Sequence, residues 1–99
     1  MKTTLIGKVQ NVSEITTKEN YSAQNFEVVV QDFDQGTGEP KPEQVFPVTI
    51  FNKKIAELRT QEFIGKRVAV TCWLRSIKND KTEKTFYNIA LNATAIKEV

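Results

Sequence analysis

The sequence predicts an all-β fold: five strands closed into a small barrel, with one helix between the third and fourth. Three observations predict it. Short runs alternate apolar and polar residues with a period of two. One capped apolar stripe interrupts these runs between residues 52 and 65. Clusters of glycine, proline and charge separate the runs from one another.

Thr3 to Ile15 reads as the first strand, with Leu5, Gly7 and Val9 on one parity. A glycine inside a strand marks a bulge or a sharp coil, which a small barrel needs in order to close. Thr16 to Asn25 is polar and reads as a loop. Phe26 to Gln31 is the second strand, with Phe26, Val28 and Val30 on one face. Asp32 to Gln44 carries two glycines and two prolines and reads as a loop.

Val45 to Phe51 is the third strand, with Phe46, Val48 and Ile50 inward. Pro47 has no N–H to give a ladder, so it points to an edge or a bulge. Asn52 can cap a helix whose stripe is Ile55, Leu58 and Phe63, with Gly65 closing it. Val68, Val70, Cys72 and Leu74 alternate as the inner face of the fourth strand. Lys78 to Lys84 (KNDKTEK) is a charged hairpin loop, and Phe86 to Ile96 is the last strand, with Tyr87, Ile89 and Leu91 on one face. Three strands, a helix and two strands is the order of the OB fold, and closure removes the exposed edges of so small a sheet. The runner-up is an open α+β sheet packed on the same helix.

The chain has 99 residues, the size of one domain, and residues 1–99 are read as a single OB-fold domain. Its one cysteine, Cys72, allows no internal disulfide, and no apolar run suggests a signal peptide or membrane span, so a cytoplasmic location is expected. There is no histidine. The usual zinc ligand sets and the commonest general base are therefore missing, and a binding protein rather than an enzyme is expected, with no cofactor and no metal. Asp32 and Asp34 alternate in a loop but lack further ligands. The net charge of +2 is uneven: residues 1–49 hold four Lys/Arg against seven Asp/Glu, and residues 50–99 hold ten against five. A basic half suits a polyanionic partner.

The outer parity of the strands is the informative feature. If Val68, Val70, Cys72 and Leu74 face in, then Thr71, Trp73, Arg75 and Ile77 face out. By the same count Phe51, Phe86 and Phe33 face out on the third, fifth and second strands. The predicted exterior thus carries Trp73, Phe51, Phe86 and Phe33, with Arg75, Lys53, Lys78 and Lys84 among or near them, and Lys54 and Lys81 close by. Flat aromatic rings stack on bases and cations match phosphates, which together bind single strands without strict sequence reading. The alternative occupant of the same apolar face is another protein subunit.

The chain also resembles the bacterial and phage single-stranded DNA-binding protein family. Leu5-Ile6-Gly7-Lys8-Val9 is similar to its opening strand, and Asn25-Phe26-Glu27-Val28 to the start of its second. Phe46 to Glu57 (FPVTIFNKKIAE) is similar to its third strand and helix entry. Gly65-Lys66-Arg67-Val68 and Leu74-Arg75 resemble strand-four elements, and Phe86-Tyr87 falls where a tyrosine opens strand five. By position, Phe51 matches a base-contacting aromatic, and Phe33 falls near a stacking tryptophan. Val45 replaces a third-strand tryptophan, and Trp73 stands where the family has a polar residue, so the stacking platform is expected to have moved across the sheet. The loop between strands two and three, which often embraces DNA in the family, is acidic here. The family's acidic C-terminal tail has no counterpart, so a minimal member is expected.

The resemblance implies an OB fold and a role in DNA replication and repair. The implied partners are single-stranded DNA, with RNA as the other candidate strand, and further copies of the chain in a dimer or tetramer, with no membrane. The alternative is an oligomerisation or interaction module of the primosome type, using the same face.

Overall fold

The computed structural model describes residues 1–80 and 84–99. Its elements are β1 (Lys2–Gln10), β2 (Thr16–Thr17), β3 (Ser22–Val30), β4 (Gln44–Phe51), α1 (Lys54–Leu58), a 3-10 turn (Thr60–Phe63), β5 (Arg67–Asn79) and β6 (Phe86–Glu98). The fold is mostly β with one short α-helix between β4 and β5, consistent with an OB fold. The hydrogen-bonded strand order is β1-β5-β6-β4-β3-β2, and β1 pairs with β3 as well.

β1 serves two neighbours in turn. Lys2 to Lys8 lie opposite Trp73 to Arg67 of β5, and Lys8 to Gln10 lie opposite Val29 to Glu27 of β3. The described pairings therefore return to the strand they started from. Gly7 sits beside the handover. A Cβ there would collide with the Val29 carbonyl, standing 2.9 Å from its carbon and closer still to its oxygen. The sequence placed a bulge or coil at this glycine; the structural reason for it is the close approach of two backbones.

The core follows the alternation. Val9, Phe26, Val28, Val48, Ile50, Val68, Val70 and Cys72 are fully buried, and Leu91, Ala93 and Ile55 join the same cluster. Ala93 and Ile96 of β6 are three residues apart, yet they pair with Cys72 and Val70. The register shift beside Thr71 and Cys72 leaves Thr94 as the extra residue, which keeps apolar side chains inward on both sides of it.

Several expectations are corrected. The sheet has six strands rather than five, because Thr16 and Thr17, read as loop, pair with Ala23 and Ser22. β3 consequently begins at Ser22, within the segment read as loop. The helix stops at Leu58 instead of running to Phe63: Arg59 takes a left-handed conformation (φ 48°) and a 3-10 turn follows. Asn52 does not cap the helix through its side chain. Its Oδ1 accepts from the Ser22 N–H at 3.0 Å, which ties the end of β4 to the start of β3. Pro47 lies within β4 opposite Glu27, and the described pairing of β4 to β6 is the single match Thr49 with Asn92, so the proline's missing N–H costs little ladder. Lys81, part of the predicted charged hairpin loop, lies outside the described residues.

Candidate nucleic-acid interface

Residues paired across a sheet share a face, so the registers define the outer surface row by row. Trp73 of β5 pairs with Lys2 of β1 on one side and Asn92 of β6 on the other. Asn92 pairs with Thr49 of β4, and Thr49 with Asn25 of β3. One row thus crosses five strands: Lys2, Trp73, Asn92, Thr49, Asn25. The Lys2 ammonium lies 5.0 Å from the centroid of the Trp73 ring. The Thr49 hydroxyl donates to Asn25 Oδ1 at 2.8 Å, which fixes the amide's orientation.

Arg75 pairs with Ala90 on the same side as Trp73 and makes no ion pair among the described residues. The registers also place Lys8, Arg67 and Lys97 on this side. Against these five cations, counting Lys2, Glu27 is the one carboxylate at an outward strand position among the described residues. Hydrogen bonds from the Gln10 and Asn11 side-chain amides hold its carboxyl below the usual range. Trp73 is 45% exposed, with the Lys2 ammonium over its ring.

The other sequence-selected residues fall in different places. Phe51 shares the outer side of β4 with Thr49 and meets Tyr21 edge-on, with ring centroids 6.1 Å apart. Lys53 is exposed immediately beyond it. Phe86 pairs with Asn79 and so lies on the Trp73 side, but six residues further out, about 20 Å along the strand. Phe33 is exposed in the β3–β4 connection, bridged to Pro40, beyond the opposite end of the β3–β4 pair from Phe51. That connection is ordered by Asp34, whose carboxylate accepts from the Thr37 and Gly36 N–H groups and is held below its usual range by them. Lys84 is exposed in the approach to β6.

Lys78 is on the wrong side of the hairpin for the grouping first drawn. It pairs with Tyr87, opposite in parity to Trp73 and Arg75, and it approaches Asp80 at 3.8 Å. The outer part of the β5–β6 hairpin runs beyond the core, so both its faces are open. Tyr87 and Ile89 share a face with buried Leu91, yet they are 67% and 73% exposed. Lys2, Asn25, Thr49, Asn92 and Glu27 lie on this surface although the sequence reading did not select them. The signal for them is strand register, which a single sequence does not show.

No family model and no curated protein matches this chain. Solved structures do. The small single-stranded DNA-binding protein from Streptomyces coelicolor superposes with a TM-score of 0.68 at 15% identity, covering 100% of this chain and 94% of that one. The Plasmodium falciparum SSB in complex with ssDNA gives 0.72 at 18% identity, covering 99% and 93%. The wild-type single-stranded DNA binding protein from Thermus aquaticus gives 0.76 at 13% identity, covering 99% of this chain but 49% of that one, so the chain spans about half its length. The shared property at these identities is the fold.

Proposed function

We propose that this chain is a single OB-type barrel that binds single-stranded DNA across its outer face. The observation that carries the reading is the row Lys2, Trp73, Asn92, Thr49, Asn25, with Arg75 beside it. Trp73 offers a surface for a base, and the amides and hydroxyl offer base-edge hydrogen bonds. Lys2, Arg75 and the lysines around them meet phosphates. The likeness in fold to single-stranded DNA-binding proteins supports the choice of ligand. Phe51 with Tyr21 extends the stacking surface at one end, and Phe86 does so at the outer hairpin. No catalytic step belongs to this reading.

A second reading has its own observation. Tyr87 and Ile89 form an exposed apolar pair on the other side of the β5–β6 hairpin, where a second copy of the chain could pack. Homo-oligomerisation through that side and strand binding through the Trp73 side are compatible.

The test is a fluorescence-anisotropy titration with labelled oligo-dT and oligo-rU at two salt concentrations. Strand binding predicts affinity that falls steeply as salt rises, by about 0.7 in log–log slope per phosphate contact. Absence of binding at low salt would leave only the interaction-module reading.

A further inference from the structure

We propose that Glu27 gives the strand-binding face a preference for bases carrying an exocyclic amino group, cytosine above thymine. The inference rests on the strand-binding reading above. Among the described residues, Glu27 is the lone carboxylate at an outward strand position, on a surface whose strands otherwise carry Lys2, Lys8, Arg67, Arg75 and Lys97 there. A carboxylate there repels phosphate, so the part of a bound strand that can lie against it is a base edge rather than the backbone.

The geometry holds the group ready for such an edge. Oε1 accepts from Gln10 Nε2 at 2.9 Å and from Asn11 Nδ2 at 2.6 Å. These two amides fix the side chain and keep it ionised. Oε2 has no hydrogen-bond partner among the described residues. Directly opposite, Pro47 is exposed on β4, an apolar ring on which a base can pack. Exposed Val45 and half-buried Val29 continue that apolar surface one step further along the same pair.

An ionised carboxylate only accepts hydrogen bonds. Cytosine presents the N4 amino donor to it, with one N–H pointing away from the rest of the pairing edge, whereas thymine presents the O4 acceptor at the same place and holds its one donor, N3–H, between two carbonyl oxygens that repel a carboxylate. The attraction to one and the repulsion of the other both separate the two bases. Stacking does not, because every base has a π-face.

The experiment compares labelled oligo-5-methyl-dC and oligo-dT of equal length near neutral pH at one salt concentration. These bases carry the same methyl group and differ in the amino or oxo group at position 4 and the matching proton on N3. The wild-type chain should bind the 5-methylcytosine strand about fivefold tighter or more. Glu27→Gln keeps the shape and an accepting oxygen for Gln10 or Asn11, and should bring the ratio near one, chiefly by tightening oligo-dT. Equal wild-type affinities, or a preference that survives in a folded Glu27→Gln, would overturn the inference while leaving strand binding intact. If Glu27→Gln does not fold, the wild-type comparison decides alone. Binding of neither strand would instead overturn the strand-binding reading, and this inference with it.

Discussion

The Lys2 ammonium stands 5.0 Å from the centre of the Trp73 ring, held there by the pairing of the two residues across β1 and β5. The Leu74 N–H donates to the Met1 carbonyl at 2.8 Å, so the start of the chain is tied to the same strand. A cation over an exposed ring contributes only about 0.5–1 kcal/mol, so an arriving base can displace Lys2 or use the indole's other face. On the strand-binding reading the ammonium would then stand beside the stacked base, where it could meet the phosphate.

Lys2→Ala should therefore leave the melting temperature within a few degrees of wild type. Its oligo-dT affinity should fall at low salt, and the log–log salt slope should shrink by about 0.7. Titrations at three salt concentrations check this. An unchanged slope would mean that Lys2 serves the fold and not the ligand.

Arg75 and Lys78 form a matched pair of probes, because they lie three residues apart on opposite sides of one strand. Arg75→Ala should flatten the salt dependence of oligo-dT binding, again by about 0.7 for one phosphate. Lys78→Ala should change it little, since Lys78 shares its side with Tyr87 and an ion pair to Asp80. The reverse outcome would put the strand on the other face of the hairpin.

Gly7 tests the handover between β5 and β3. The Val29 carbonyl occupies the space a Cβ would need, so Gly7→Ala must push β1 away from β3. Overpacking of this kind costs about 1–3 kcal/mol. Urea denaturation should show a midpoint lowered accordingly. Gly38→Ala makes a useful contrast: nothing lies within 4 Å of its Cβ position, so any cost there comes from its φ of 74° alone.

Cys72 lies at the centre of the core, and burial pushes its thiol up to about 11 from 9.0. Well below pH 9 the thiol is neutral whether the chain is folded or not. Between pH 9 and 11 the unfolded chain loses the proton that the folded chain keeps. Stability should therefore fall as pH rises through that window. Urea midpoints for wild type and Cys72→Ala, measured from pH 8 upward, should converge as the pH climbs. Parallel curves would mean that the thiol is not protected.

Much of the fold was legible because the inward parity is clean. Val68, Val70 and Cys72 alternate without a break, and all three are fully buried. The helix was legible as a place but not as a length, because the left-handed turn at Arg59 leaves no mark in the apolar stripe. The two-residue β2 was not legible, since Thr16 and Thr17 carry no inward apolar pattern. Trp73 and Arg75 were found by parity alone. Lys78 belongs to the other parity, five residues from Trp73, and was grouped with them by charge rather than by face. Lys2, Asn25, Thr49 and Asn92 come together only through register, across strands far apart in sequence. Tyr87 and Ile89 continue the parity of Leu91, but the core ends before it reaches them.

Trp73 is the only tryptophan, so its emission reports one position on the proposed face. Titrating the chain with oligo-dT at low salt should quench that emission, and added salt should restore it. Trp73→Ala should weaken binding about fivefold to a hundredfold, because a base stacked on an aromatic ring is worth about 1–3 kcal/mol. The contradicting result is emission that saturating oligo-dT leaves unchanged, together with a Trp73→Ala chain that binds as tightly as wild type.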